Sequence, residues 1–174
     1  DTCRMYEMFM GPLEDAKPWD TNGVRGVKRF LEKVWRLREK VSEKGTEEGK
    51  LLHKTIKKVT EDLDKLGYNT AIAKLMELVN AWGKQDSVSK KSFAEFVKML
   101  APFAPHIAEE LWSELGNKKT IAFESWPKYD KKKIKEENIT LAVQVNGKVR
   151  ATVEVSAEIS EKDAEKEALA QENV

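Results

Sequence analysis

The apolar residues of this chain follow one period over its first two thirds and another near its end, which restricts the fold more than any other feature. Between residues 24 and 115 they recur every three or four positions, the spacing of the buried face of an amphipathic α-helix. Between residues 139 and 155 they alternate, as in a half-buried β-strand. We therefore predict a mainly α protein, an antiparallel helical bundle followed by a small β-hairpin and helix module.

Turn-forming residues divide the helical region into separate helices. A short helix over 2–10 is expected to stop at Gly11-Pro12, because proline disfavours helical geometry in the residue before it. A loop is then predicted to about Gly23, followed by a long helix over 24–41. The boundary residues expected for the later helices are Gly67 as a stop, Asn69 or Thr70 as a cap, Ser89 as a start, Pro102 and Pro105 as breaks, and Gly116-Asn117 as a stop.

The dipeptide Asn146-Gly147 separates the two alternating segments and is a strong hairpin signal. A strict two-residue turn places Val143 opposite Arg150 and mixes apolar with charged side chains on one face. An odd loop with a glycine bulge sets Val145 opposite Val149 and keeps one face apolar, so we predict the bulge. The residues then expected on the outer face are Gln144, Arg150 and Thr152.

The change of period also predicts the domain organisation. We expect a helical bundle over 1–117, a connecting loop over 118–137 and a partial α/β module over 138–174. Within that module we expect a hairpin over 139–155 and a helix over 160–171 that covers it, since an isolated hairpin is only marginally stable.

Composition limits the class of protein. No apolar run in the 174 residues approaches the roughly 20 needed to span a bilayer, and 35% of the residues are charged. Cys3 is the single cysteine, which excludes an internal disulfide and fits a cytoplasmic protein. The chain starts at Asp1 without an initiator methionine or a signal-peptide pattern, so we expect a piece of a longer protein.

The sequence contains no candidate catalytic motif. The two histidines, His53 and His106, have no nearby cysteine and no metal-ligand spacing, so we interpret both as structural. The segment Gly23–Gly26 lacks the preceding strand and the lysine-serine ending of a phosphate loop. We therefore predict no catalytic residue, no metal site and no cofactor in this chain.

The predicted helix over 24–41 has a strongly basic face. Residues 25–40 contain seven basic side chains and only Glu32 and Glu39 as acidic ones. Aligned cations of this kind neutralise phosphates and bind RNA with little sequence preference and a steep salt dependence. The candidate phosphate contacts are Lys28, Arg29 and Arg36 on this helix, with Lys148 and Arg150 at the hairpin.

Two alternatives to these interpretations remain open. The basic helix is also compatible with a protein-interaction module that meets an acidic partner or another domain of the same polypeptide. The helically spaced tryptophans Trp35, Trp82 and Trp112 are interpreted as core residues in preference to base-stacking platforms.

Four segments of the sequence resemble one family. They are Tyr6–Glu14 with Lys17-Pro18-Trp19, Arg29-Phe30-Leu31 with Val34-Trp35-Arg36, Met99–Trp112, and Val143–Arg150. In this order, and over essentially the whole chain, they resemble the C-terminal part of bacterial-type leucyl-tRNA synthetases. The Met99–Trp112 segment is also similar to the isoleucine, valine and methionine enzymes, whereas the first and last segments favour leucine.

The resemblance implies a non-catalytic, class I anticodon-binding domain followed by the start of the small C-terminal module. It implies tRNA(Leu) and the catalytic core of the same polypeptide as partners, with no membrane and no DNA. The parent enzyme would be a cytoplasmic leucine–tRNA ligase that uses ATP with Mg on a core absent from this chain. We also expect the family's sequence to continue beyond Val174.

Overall fold

The fold was obtained as a computed structural model that describes residues 1–46, 49–134, 138–145, 148–156 and 159–170. The chain divides into two compact units, Asp1–Ile134 and Lys135–Val174. The first is helical and the second contains an antiparallel hairpin and a helix. This confirms the predicted mainly α class, while the predicted boundaries at 117 and 137 stay a prediction. No helix in the described ranges is long and apolar enough to cross a bilayer.

The first unit contains seven α-helices within its described residues. They are α1 (Thr2–Phe9), α2 (Thr21–Leu37), α3 (Gly49–Asp64), α4 (Tyr68–Trp82), α5 (Lys90–Leu100), α6 (Pro105–Glu114) and the short α7 (Lys131–Ile134).

The apolar faces of these helices form one core, which includes an aromatic cluster. The rings of Trp82 and Phe96 meet edge to face with centroids 5.6 Å apart, and Phe93 stacks on Phe96 at 5.9 Å. Trp82 and Trp112 are buried, as predicted. Trp35 is half-buried against the core and carries the Arg38 guanidinium on its ring, with Cζ 3.8 Å from the centroid.

Helix α2 begins three residues earlier than predicted and ends four residues earlier. The loop predicted to reach Gly23 is wrong, because the Asp20 carboxylate accepts the backbone N–H groups of Asn22 and Gly23 at 2.9 and 3.3 Å and caps the helix. The side chain of Tyr6 packs against Gly23 so closely that a Cβ there would lie 2.6 Å from the ring. Beyond Leu37 the chain continues as a 3-10 turn, Arg38–Lys40.

Helices α3 and α4 are joined by a tight turn at Gly67. The stop predicted there is confirmed to within a few residues, since α3 ends at Asp64 and Leu66 has a positive φ of 57°. The predicted cap at Asn69 or Thr70 is wrong. Gly67 itself occupies the N-cap position without a side-chain cap, and the Thr70 hydroxyl instead donates back to the Gly67 carbonyl at 2.9 Å.

A two-stranded parallel ladder, absent from the predictions, joins the turn after α2 to the start of α5. Strand β1 (Val41–Ser42) pairs with β2 (Val88–Ser89), and Thr46 forms a further bridge to Val88. Gly45 lies directly against this ladder, where a Cβ would fall 2.3 Å from the carbonyl carbon and oxygen of Val88. Two-residue strands are too short to show a period of hydrophobicity, so the sequence does not predict them.

The predicted starts of α5 and α6 are confirmed. Ser89 caps α5, with its hydroxyl oxygen 3.5 Å from the Ser92 N–H, and Pro105 lies in the first turn of α6. The Asp1 carboxylate accepts the backbone N–H groups of His106 and Ile107 at 3.3 and 2.7 Å. Helix α6 ends at Glu114, two residues before the predicted stop at Gly116, which adopts φ of +89°.

The segment after α6 packs on the bundle. The Glu109 carboxylate accepts the Thr120 hydroxyl and the Ile121 N–H, and these hydrogen bonds lower the pKa of that carboxyl. The Trp126 indole donates to the Thr60 hydroxyl at 2.8 Å, and the Asp130 N–H donates to His53 Nδ1 at 3.1 Å. Residues 121–134 therefore lie against α3 and α6 of the first unit.

The second unit is the predicted hairpin, with its bulge in a different place. Strands β3 (Asn138–Val145) and β4 (Lys148–Ser156) pair Leu141 with Val153, the predicted register. The predicted Val145–Val149 pair is wrong, because Val145 faces Lys148 across a two-residue connection and Arg150 is the extra, bulged residue.

The faces and the covering helix of this unit agree with the prediction where side chains are described. Val153 and Val155 are buried and Arg150 and Thr152 are exposed, whereas the side chain of Gln144 lies outside the described residues. Helix α8 (Glu161–Leu169) contacts β4.

Candidate nucleic-acid interface

The basic face of α2 borders a surface groove shared with α4, which we call the α2/α4 groove. Two adjoining cavities of about 300 and 260 Å³ form it. Its lining residues are Gly26, Arg29, Phe30, Lys33, Arg36, Leu37 and Lys40 from the α2 side, and Met76, Val79, Asn80 and Gly83 from the α4 side.

Four cationic residues line one side of this groove. Arg29, Lys33 and Arg36 lie three and four residues apart on α2, so their side chains share one edge of the helix, and Lys40 extends the row into the 3-10 turn. The first three are exposed and Lys40 is half-buried. No acidic side chain lines the groove among the described residues, so its character is cationic.

Two of the cations also hold the groove together. The Lys33 ammonium donates to the side-chain carbonyl of Asn80 at 3.1 Å. The Lys40 ammonium donates to the carbonyls of Gly83 and Gln85 at 2.9 and 2.8 Å, at the C-terminal end of α4. A cation is stabilised there by the helix dipole and by carbonyls that lack helical partners. These bonds connect the two sides of the groove.

The other two cations face solvent with little competition. Arg36 is 3.9 Å from the Glu32 carboxylate, and its side chain is 71% exposed, so this ion pair contributes little. Arg29 forms no ion pair within the part of the chain that the structure describes. Both guanidinium groups are therefore accessible to a phosphate on the outside.

On α2 the structure brings together two of the three predicted contact residues. Arg29 and Arg36 line the α2/α4 groove, whereas Lys28 does not line it and lies about 100° around the helix from Arg29. Arg150 is exposed in the second unit. The side chain of Lys148 lies outside the described residues.

Lys33 and Lys40 are among the seven basic residues of 25–40 but were not predicted as contacts. The spacing of Arg29, Lys33 and Arg36 would have selected Lys33, because these residues share one helix edge. Asn80 had no such signal, since only the packing of α4 beside α2 brings it to Lys33.

The two histidines differ in their surroundings. His53 Nδ1 accepts the Asp130 N–H, and its pKa is lowered, first by burial and then by the nearby Lys133 charge. The His106 ring is 85% exposed, with Nδ1 2.8 Å from the Asp1 carboxylate. No group of three potential metal ligands occurs among the described residues.

A helical bundle with a cationic groove is an arrangement suited to binding a nucleic-acid backbone. A family model for the anticodon-binding domain of tRNA ligases matches residues 50–166. The chain belongs to this family of anticodon-binding domains.

A solved structure is similar over nearly the whole chain. It is the agnB2 LeuRS of Agrobacterium radiobacter K84, a leucyl-tRNA synthetase crystallised as a ternary complex with tRNA and LeuAMS. The two are 31% identical, with a TM-score of 0.81 over 99% of this chain. This chain spans 25% of the length of that synthetase.

Proposed function

We propose that this chain is the tRNA-binding domain of a leucyl-tRNA synthetase. It would position tRNA(Leu) for ATP-dependent leucylation on a catalytic core in the same polypeptide. The observation that carries the proposal is the likeness to a LeuRS over 99% of the chain, in a structure that contains tRNA. The first and last of the four sequence segments described above, Tyr6–Glu14 and Val143–Arg150, support leucine over isoleucine or valine.

In this proposal the domain contributes by positioning and not by chemistry. A phosphate backbone held at a fixed place on the bundle brings the acceptor end of the tRNA to the reacting groups, which lowers the entropic cost of the reaction. The chain itself would take no cofactor, since ATP with Mg would bind the core. The whole enzyme would act in the cytoplasm.

The α2/α4 groove supports the phosphate-binding part of the proposal. Arg29 and Arg36 present guanidinium groups that can bind phosphate in a bidentate manner, and Lys33 and Lys40 add positive charge behind them. Lys28, Lys148 and Arg150 remain proposed contacts on charge alone. Because such contacts read the backbone and not the bases, the groove would give affinity more than identity.

Charge reversal of Arg29 and Arg36 tests this assignment. The Arg29→Glu/Arg36→Glu variant should bind a leucine tRNA transcript at least about tenfold more weakly, and the slope of log affinity against log salt should fall by about 2. Fluorescence anisotropy across a salt series measures both. Lys118→Glu/Lys119→Glu, an equal charge change on exposed residues away from the groove, is the matched control. Unchanged affinity and slope in the groove variant would show that α2 does not bind the tRNA.

A second observation favours an interdomain contact at another place. Residues 12–20 are exposed and include two large apolar side chains, Leu13 at 56% and Trp19 at 55% exposure. The Trp19 ring meets Tyr6 edge to face at 4.8 Å, which holds it in a defined position. We therefore assign the contact with the catalytic core to this segment and not to the basic helix.

A Trp19→Ala change tests this assignment. It should impair leucylation by the whole enzyme while leaving the tRNA affinity of this chain unchanged.

A further inference from the structure

A second cationic cavity lies on a different part of the bundle from the α2/α4 groove. It has a volume of about 350 Å³. Three parts of the chain line it: the N-terminal turns of α3, the N-terminal turns of α5, and residues 128–133. We call it the His53 pocket. None of its lining residues lines the α2/α4 groove.

Three lysines face this pocket, one from α5 and two from the 128–133 segment. They are Lys91, Lys128 and Lys133, and all three are exposed. Within the described residues none of them forms an ion pair. The aliphatic part of Lys133 lies beside the first residue of α3, with its Cδ 3.7 Å from the position of a Cβ on Gly49.

The two carboxylates of the pocket have partners of their own. The Glu95 carboxylate is 3.5 Å from the Lys98 ammonium. The Asp130 carboxylate accepts the Lys132 N–H at 2.9 Å and is thereby part of its own turn. Three lysines without ion pairs thus face two carboxylates that already accept hydrogen bonds or pair with a cation.

His53 adds a neutral donor to this set. Because its Nδ1 accepts the Asp130 N–H, the neutral ring carries its proton on Nε2. Burial and the Lys133 charge lower the pKa of His53, so the ring stays neutral at physiological pH. The pocket also faces the N-terminal turn of α3, where the helix dipole favours an anion.

We propose that the His53 pocket binds a phosphate group, through Lys91, Lys128, Lys133 and the His53 Nε2–H. The ammonium groups would neutralise the oxygens, and the ring would hold one of them by a hydrogen bond. The cavity is large enough for a phosphate that belongs to an RNA backbone or to a free phosphate compound. This inference does not depend on the α2/α4 groove, and it extends the proposed function where the phosphate is that of RNA.

The two histidines make the test self-controlled. The 174-residue chain is titrated with inorganic phosphate at constant ionic strength, and the ring resonances of both histidines are followed by NMR. We expect a saturating shift at His53 and no such shift at His106, which does not line the pocket. Linear or equal shifts at both rings would overturn the proposal.

Lysine variants then test the assignment of residues. Lys128→Gln/Lys133→Gln should raise the phosphate concentration at the midpoint of the His53 titration by about tenfold, since two charged contacts are lost. Lys118→Gln/Lys119→Gln carries the same change of charge outside the pocket and should leave the midpoint unchanged. An unchanged midpoint in the pocket variant would overturn the proposal.

A final arm separates the two sources of phosphate. If leucine tRNA abolishes the response of His53 to inorganic phosphate, the pocket takes a phosphate of the RNA backbone. If the response persists in the tRNA complex, the pocket takes a free phosphate compound. In the absence of tRNA, the Arg29→Glu/Arg36→Glu variant should keep the response of His53 to inorganic phosphate, whichever source of phosphate the pocket takes. Failure of the groove proposal and failure of the pocket proposal are therefore distinguishable.

Discussion

The α2/α4 groove and the His53 pocket are both cationic, but they are built in different ways. The cations of the groove come from one continuous stretch, Arg29 to Lys40, on a helix and the turn that follows it. The pocket combines residues from three segments, around His53, Lys91 and Lys128–Lys133. A surface built on one helix depends on local spacing, whereas a composite pocket depends on how distant segments pack. Substitutions that disturb the backbone, a helix cap or a side-chain hydrogen bond should therefore affect the groove and the pocket differently.

The largest expected difference concerns two glycines. Gly45→Ala should destabilise the chain by about 3 kcal/mol or more, because the new Cβ would lie 2.3 Å from the Val88 backbone in the ladder that precedes α5. Gly26→Ala on the groove side is the matched control. Nothing lies within 4 Å of its Cβ position, so the change should stabilise α2 by about 0.5 to 1 kcal/mol. Urea unfolding measures both, and equal effects would contradict the proposed dependence of the pocket side on backbone packing.

The support of the groove can be tested at the start of α2. Asp20→Ala removes the side-chain cap on the Asn22 and Gly23 N–H groups and should cost about 1 to 2 kcal/mol. Asp20→Asn keeps a good cap and should cost almost nothing. The Asp20 N–H, which donates to the Tyr6 hydroxyl at 2.8 Å, remains in both variants. If alanine and asparagine had the same effect, the cap would not stabilise the helix.

These regions also show what the sequence could predict. The α2 stripe and its basic face follow from residues three and four apart, so the helix was predicted, while Arg29 and Arg36 stay predicted contacts. Its start was missed because Gly23 and Gly26 lower helix propensity, while the Asp20 cap and the packing of Tyr6 compensate for them. The hairpin register was found from alternation, but the bulge at Arg150 was not, since alternation fixes a face and not the position of an extra residue.

The His53 pocket lies beyond such reasoning. His53 and Asp130 are 77 residues apart, and only the packing of 121–134 on α3 brings them together. The sequence interpretation of His53 as structural agrees with its bond to Asp130, yet that same bond leaves Nε2 as a donor. Short ladders and side-chain contacts between distant segments have no period of hydrophobicity, so no pattern in the sequence predicts them.

The support of the pocket can be tested at Trp126. Trp126→Phe keeps a ring but removes the 2.8 Å bond to the Thr60 hydroxyl, and should cost about 1 kcal/mol. Since this bond holds the 121–134 segment on α3, the change should also weaken phosphate binding at His53 but leave the Arg29 and Arg36 contribution to tRNA binding intact. Loss of both kinds of binding in this variant would mean that the two regions are not independent.

The smallest expected effect is a pH dependence of stability from His53. Its pKa is lower in the folded chain than the ordinary 6.5, so the unfolded chain binds the proton more readily. The stabilisation is therefore complete above about pH 6.5 and is lost as the pH falls towards the folded pKa. Protonation would also turn Nδ1 into a donor and break its bond with the Asp130 N–H.

Thermal unfolding measures this dependence. Between about pH 7 and about pH 5.5 the unfolding temperature should decrease in the wild type and in His106→Gln, but not in His53→Gln. The Glu109 carboxyl, with its lowered pKa, loses its contribution only below its ordinary value of 4.5, so the two windows do not overlap. Parallel curves for the wild type and His53→Gln would show that folding does not lower the pKa of His53.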